Sequence, residues 1–265
     1  MNVLRDRAGA NRDPDRVEVR TVDGVHLSAR VQPPSGDPAH PEHAGVAVVV
    51  VHGFSAHARE ANVEAVMTAI TDAGFTAVTY DARGHGESGG QTTLGALEGH
   101  DVAAAVALAR EYATRVVLVG TSMGGIAVLR HATEATDAVV GVVTVACPAE
   151  WKLPRNIRGV LAAMMTQTRW GRSVARTRLG VRIAPKIDRG APPAHLARSV
   201  AIPVAVVHGT ADPFIATTAA ELLHANVPGP SRLIVVDGLA HAFEPSARAT
   251  PAILDAIDWV LTETP

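Results

Sequence analysis

The chain has 265 residues, 47% hydrophobic and 19% charged, with a formal net charge of −2 and one cysteine, Cys147. That balance describes one globular domain with a full-sized core. It excludes an intrachain disulfide and a thiolate metal centre, and no nucleic-acid partner is expected.

The opening stretch, MNVLRDRAGANRDPDR, is charged and has no apolar segment of the signal-peptide kind, and the most apolar run, Val46 to Val51, is too short to span a bilayer. A soluble cytoplasmic protein without a transmembrane segment is expected. Arg16 to Thr21 and Val25 to Val31 then alternate in strand fashion around Asp23-Gly24, a dipeptide suited to a tight hairpin turn. After Pro33, Pro34, Pro38 and Pro41 the rhythm changes to short β-branched runs without alternation, as in strands buried on both faces of a parallel sheet. These runs are Val46 to Val51, Thr76 to Tyr80, Arg115 to Val119, Val139 to Val145, Ile202 to His208 and Arg232 to Val236. Helical stretches are expected to begin near His57, Leu97, Met123 and Thr217, with a last one near Pro251, since proline suits a first helical turn. Repeated β-α units imply right-handed crossovers with helices on both sheet faces.

One interval breaks the pattern. Between Cys147 and Ala201 stand some fifty residues where a crossover needs about a dozen. The expected organisation is a single domain, 1–265, with an insertion at about 149–200 placed to cover a site at the strand ends.

The run Arg115 to Val119 leads into Gly120-Thr121-Ser122-Met123-Gly124 and then directly into a helical stretch. This is the nucleophile-elbow pattern G-x-S-x-G, in which glycines permit a sharp turn and the helix N-terminus points positive partial charge at the serine. A serine hydroxyl needs a histidine to take its proton, and the histidine needs a carboxylate to fix its tautomer. Asp212, in "HGTADPFI", and His241, in "DGLAHAF", each follow a predicted strand, and the order Ser122, Asp212, His241 is the one this elbow requires. Asp237 is an alternative acid, but it stands only four residues before His241, in the same turn. Acyl transfer also needs two N–H donors for the developing oxyanion. Met123 follows the serine and supplies one; Phe54, in the loop His52-Gly53-Phe54-Ser55, is the candidate for the other.

Taken with "HGF" at 52–54, "DARGHGES" at 81–88, "GTSMGG" at 120–125, "HGTAD" at 208–212 and "GLAHAF" at 238–243, the chain resembles the α/β-hydrolase superfamily. It is nearest the serine hydrolases that include monoacylglycerol-lipase-like esterases and serine aminopeptidase-type enzymes. The resemblance implies an α/β-hydrolase fold: a mostly parallel eight-stranded sheet, helices on both faces and a helical lid. It also implies a triad on Ser122, His241 and Asp212, an oxyanion hole from Phe54 and Met123, and no metal or organic cofactor. There is no His-Gly-Gly-Gly signature, no aspartate nucleophile and no cysteine nucleophile. Asp81 to Ser88 reads as a structural turn with no catalytic role for His85, and Cys147 as a small buried residue.

The insertion carries the strongest charge contrast. From Glu150 to Gly190 ten basic residues face two acidic ones, a balance of +8, which leaves −10 for the remainder. Ile157, Val160, Leu161, Met164, Met165 and Thr168 fall at helical spacing, so one amphipathic helix is expected, with Ile157, Leu161, Met164 and Met165 as tentative pocket residues under a lid. The partners expected are a small-molecule acyl ester or thioester, with an acyl carrier or an anionic surface as candidates for the basic segment. Ester hydrolysis leads; thioester hydrolysis, a biosynthetic acyl-transfer or cyclisation enzyme, and a non-catalytic binding protein are the alternatives.

Overall fold

The computed structural model describes residues 16–35, 43–134, 138–151 and 163–264. Strands β1 (Arg16–Arg20) and β2 (His26–Gln32) form the expected antiparallel pair. Of the two turn residues only Gly24 takes a positive φ, 83°, and its N–H donates to the Thr21 carbonyl at 3.0 Å. The chain continues through β3 (Val46–Val51), α1 (Ala61–Asp72), β4 (Thr76–Tyr80), α2 (Glu98–Ala109), β5 (Arg115–Thr121), α3 (Met123–Ala132) and β6 (Val139–Val145). Then come α4 (Arg169–Arg178), α5 (Pro193–Ala197), β7 (Val204–Gly209), α6 (Thr217–Asn226), β8 (Ser231–Val236) and α7 (Ser246–Thr262).

The eight strands form one sheet in the order β1-β2-β4-β3-β5-β6-β7-β8. β2 is antiparallel to both β1 and β4, and the remaining pairings are parallel. From β3 the chain steps one way to β4, then returns past β3 to β5 and proceeds the other way. The strand order therefore reverses between β3 and β5, the place where open α/β sheets leave a crevice at their carboxyl ends.

The absence of alternation in the strands has a direct structural cause. All six residues of β3 are buried: Ala47, Val49 and Val51 pack with α2 and α3 on one face, while Val46, Val48 and Val50 pack with α1 and α7 on the other. Burying one such valine contributes about 1.5–3 kcal/mol, so a polar residue at either parity would be costly.

Two helix starts differ from expectation. α1 begins at Ala61, later than His57, because the intervening segment is held as a loop: the Ala58 N–H donates to Asp81 Oδ1 at 2.8 Å. α7 begins at Ser246, so Pro251 lies inside the helix rather than in its first turn; Pro245 occupies the N-cap instead.

The insertion also departs from a single helix. Thr168 interrupts the run: it follows a helical stretch at 163–167 and caps α4, its Oγ1 accepting the Gly171 N–H at 2.9 Å. Ile157, Val160 and Leu161 lie outside the described residues. α4 buries only Gly171 and Ala175. Beyond it the chain is laced to the body: the Arg182 N–H donates to the Gly84 carbonyl at 2.8 Å, the Thr92 N–H to the Arg182 carbonyl at 2.7 Å, and the Ala184 N–H to the Thr92 carbonyl at 2.9 Å. Among the described residues no helix is long and apolar enough to cross a membrane.

Candidate active site

β5 delivers Ser122 at its carboxyl end with φ 51° and ψ −113°, and α3 starts at the next residue. A side chain on Gly120 would put its Cβ 2.4 Å from the Gly124 carbonyl oxygen, and one on Gly124 would lie 2.3 Å from the Val51 carbonyl oxygen. The elbow closes only because both positions lack a Cβ. The Ser122 N–H donates to the Val145 carbonyl at 2.9 Å, which ties the strained residue to the adjacent strand.

Two loops bring partners to the hydroxyl. His241, from the loop after β8, places Nε2 3.0 Å from Ser122 Oγ and Nδ1 2.8 Å from Asp212 Oδ2, which comes from the loop after β7. The Asp212 side chain has no solvent exposure, that of His241 about 22%. Burial works against the Asp212 charge, yet the hydrogen bond and charge of His241, with the N–H groups of Ile215 and Phe214, hold its carboxyl below the usual carboxylate range. Asp237, the alternative acid, instead accepts from Thr210 Oγ1 at 3.0 Å in an exposed turn. His208 is fully buried, with Nε2 donating to the Ile215 carbonyl at 2.9 Å, and supports the Asp212 loop from beneath. Phe214 meets the His241 ring edge-on, centroids 5.0 Å apart.

Ser122 and His241 open onto a cavity of about 170 Å³ whose wall also includes Gly53, Phe54, Phe214 and Phe243. A second cavity, about 220 Å³, is bounded by Arg16, Arg30, Arg59, Asp81 and Glu87 and has neither Ser122 nor His241 in its wall. Neither the Phe54 N–H nor the Met123 N–H has a hydrogen-bond partner among the described residues. The first is oriented by the histidine that opens the 52–54 motif. His52 is fully buried, accepts the Ala82 N–H on Nε2 at 3.0 Å and therefore carries its proton on Nδ1, which donates to the Gly53 carbonyl at 2.8 Å. In a planar trans peptide the carbonyl and the following N–H point opposite ways, so pinning the Gly53 oxygen directs the Phe54 N–H away from it. Burial, and the nearby His85, push the His52 imidazole down to about 4, which keeps it neutral.

The turn at 81–88 is held by hydrogen bonds and ring contacts. Asp81 accepts the Ala58 and Glu87 N–H groups, each at 2.8 Å, and His85 packs edge-on against His52 and Phe54 with centroids 5.2 and 5.9 Å away. Cys147 is buried behind the elbow, close enough to α3 that a Cβ on Gly125 would meet its Sγ at 2.9 Å, and burial pushes its thiol up. Further along, Met165 and Phe54 both pack against the cluster of Ala175, Val181 and Ile183, whereas Met164 is 47% exposed. Neither methionine lines the cavity at Ser122; Ile157 and Leu161 lie outside the described residues.

The arrangement permits nucleophilic chemistry. A hydroxyl bonded to an imidazole whose far nitrogen faces a carboxylate can pass its proton to that imidazole as it attacks an electrophilic carbon. Missed in the sequence were Phe214, His52 and the acidic residues Glu60 and Glu244 of the cavity wall; only the pairing of His52 with Gly53 at a strand end was a usable signal.

Comparison with known proteins places these features in context. Residues 42–188 match the family model described as serine aminopeptidase, S33. The uncharacterized protein YqkD of Bacillus subtilis is 26% identical over 212 residues, covering 74% of this chain and 64% of YqkD, so the chain spans somewhat less than two thirds of that relative's length. The esterase Pf2001 of Pyrococcus furiosus superposes with a TM-score of 0.69 at 19% identity, over 98% of each chain. The esterase RhEst1 of Rhodococcus sp. ECU1013 gives 0.66 at 20% identity, over 95% of this chain and 100% of its own. At such identities the two structures establish a shared fold.

Proposed function

This chain belongs to the serine aminopeptidase S33 family of α/β-hydrolases, and we propose that it cleaves carboxylic esters through an acyl-enzyme on Ser122. The observation that carries the reading is the unbroken chain from Asp212 Oδ2 through both nitrogens of His241 to Ser122 Oγ, at 2.8 and 3.0 Å.

In the first half-reaction Ser122 Oγ attacks the ester carbonyl carbon while His241 Nε2 takes the hydroxyl proton. Asp212 holds Nδ1–H and stabilises the imidazolium. The carbonyl oxygen, now an oxyanion, receives the N–H groups of Phe54 and Met123 at the N-terminus of α3. Collapse of the tetrahedral intermediate breaks the bond to the alkoxy oxygen, which takes the proton from His241 and departs as the alcohol. Water then repeats the sequence on the acyl-enzyme, giving up a proton to His241, and releases the carboxylic acid with Ser122 restored.

Residues 149–200 are proposed as a cap on the single domain 1–265. Support comes from the packing of Phe54 against the cluster of Ala175, Val181 and Ile183, which couples this segment to the loop that would supply one oxyanion donor. A second leaving group, the thiol of acyl-CoA or an acyl carrier, is favoured by one observation: Arg169, Arg176 and Arg178 of α4 are exposed. Higher kcat/KM on an acyl-CoA than on the matched p-nitrophenyl ester would move the assignment to that class.

The test is a burst-phase assay with p-nitrophenyl esters of graded chain length. The wild type is expected to release one product burst per Ser122, and Ser122→Ala to lose the burst and about a millionfold in kcat, as loss of the nucleophile of a triad does. Undiminished turnover by Ser122→Ala, or no turnover of any ester by folded protein, would overturn the proposal.

A further inference from the structure

The chain contains four phenylalanines, and three of them, Phe54, Phe214 and Phe243, line the small cavity onto which Ser122 opens. Two carboxylates, Glu60 and Glu244, share that wall, and among the described residues no arginine or lysine does. Glu60 is half-buried at the N-cap of α1, yet its side chain makes no capping hydrogen bond. Glu244 is exposed at the rim, three residues past His241. Neither carboxylate has an ion-pair or side-chain hydrogen-bond partner among the described residues, in contrast to Asp23, Glu64 and Asp101, which face arginines. Thr121, 1% exposed, lines the same cavity, and its Oγ1 has no hydrogen-bond partner among the described residues.

These features select by charge and by shape. Aromatic rings attract alkylammonium groups through the ring quadrupole, and carboxylates at the edge of the same apolar space add Coulomb attraction that no arginine or lysine of the described cavity wall offsets. An acyl chain alone needs the rings but not the carboxylates. An anionic group, such as the phosphates of a CoA arm, is repelled at this wall even though α4 carries exposed arginines, because those arginines do not line the cavity.

We infer that the cavity formed by Phe54, Phe214, Phe243, Glu60 and Glu244 binds an alkylammonium group, so that the preferred substrates are esters carrying a cation a few bonds from the scissile carbonyl. The inference rests on the reading of Ser122 as the nucleophile and narrows its substrate class. Glu60 and Glu244 are specificity-determining residues in it.

The experiment compares cationic esters with neutral isosteres of the same shape. Acetylcholine is set against 3,3-dimethylbutyl acetate, and the methyl ester of 4-(trimethylammonio)butyrate against methyl 5,5-dimethylhexanoate, which places the cation on the alcohol or the acyl side. At low ionic strength the cationic member of at least one pair is expected to show about tenfold higher kcat/KM. Glu60→Gln and Glu244→Gln should each reduce that cationic-to-neutral ratio by about threefold, and salt should erode it in the wild type. A ratio of one or less in both pairs, or a ratio indifferent to both substitutions, would overturn the inference while leaving the hydrolase intact. If none of the four esters turns over while a p-nitrophenyl ester does, the inference is overturned and the hydrolase reading stands; if no ester of either set turns over, the hydrolase reading falls. Calorimetric titration with tetramethylammonium then decides the binding inference alone: saturable binding weakened by Glu60→Gln sustains it, and no binding ends it.

Discussion

Two networks of charged side chains sit at the carboxyl edge of the same sheet and differ in whether they close. In the first, the Arg83 backbone N–H and Nε donate to Asp101 at 2.9 Å each, Nη2 lies 2.8 Å from Asp101 Oδ1, and Nη1 reaches Asp23 at 2.7 Å. Arg83 is 2% exposed and Asp101 fully buried. Every strong donor is used, and the network joins the β1–β2 turn, the loop after β4 and helix α2. The second, Asp212–His241–Ser122, runs in series and ends at a hydroxyl facing an empty space. The same residue types form a closed network in one place and, in the other, a series with one end open, which the proposed function uses for chemistry.

The largest effect that would sharpen this contrast is expected from Asp212→Asn, which keeps the shape but presents the wrong partner to His241. Ester kcat should fall by about 10⁴-fold with little change in the thermal unfolding midpoint; near-native turnover would erase the distinction between the two networks. Asp101→Ala should do the opposite, lowering unfolding free energy in urea by about 3–5 kcal/mol because Arg83 is left as a buried charge with one partner fewer. Activity per folded molecule should stay near wild type, and a selective loss of kcat would show that the closed network reaches the site.

His52 stands between the two cases. His52→Ala should reduce kcat by about 10²–10³-fold with a smaller change in KM, the signature of a lost oxyanion donor, and His52→Asn should recover part of it by restoring a donor to the Gly53 carbonyl. Equal deficits in both variants would assign His52 to packing alone.

Acid titration gives the smallest effects. His52 is depressed to about 4 by burial, so its contribution to stability is fully present above the unfolded histidine pKa of about 6.5 and is lost as pH falls towards 4. Asp23, held at about 2 chiefly by its hydrogen bond to Arg83, contributes above pH about 4 and loses that contribution as pH falls towards 2. Urea titrations at stepped pH should show the first decline flattened in His52→Asn. The second should be flattened slightly in Asp23→Asn, since the Asp23 side chain is 34% exposed and solvent screens the pair.

The parts of the molecule legible in sequence were those encoded by neighbours along the chain. Strands buried on both faces read as unbroken valine runs, and the elbow reads as glycines around Ser122, because steric demands within a few residues dictate those letters. That Asp212 and His241 meet at Ser122 was legible from their positions after strand ends. By contrast, α4 left little trace: it buries only Gly171 and Ala175, so it has almost no apolar stripe, and Thr168 looked like a face residue although it is a cap. Phe214, Glu60 and Glu244 meet at one cavity from three separate loops, a proximity that topology creates and no local pattern records. The start of α7 was misplaced because a proline signals a helix start equally well from the N-cap, where Pro245 sits, or from the turn after it.

The backbone at Ser122 has an implication for how such a site persists. Its φ of 51° with ψ −113° belongs to a region where a Cβ costs about 1–3 kcal/mol and glycine costs almost nothing. Ser122→Gly is therefore expected to melt at a higher temperature than the wild type while losing all turnover. A mutational search scored on folding alone would drift towards that inert, sturdier chain, so a serine held at this position marks a sequence filtered by what it does as well as by whether it folds.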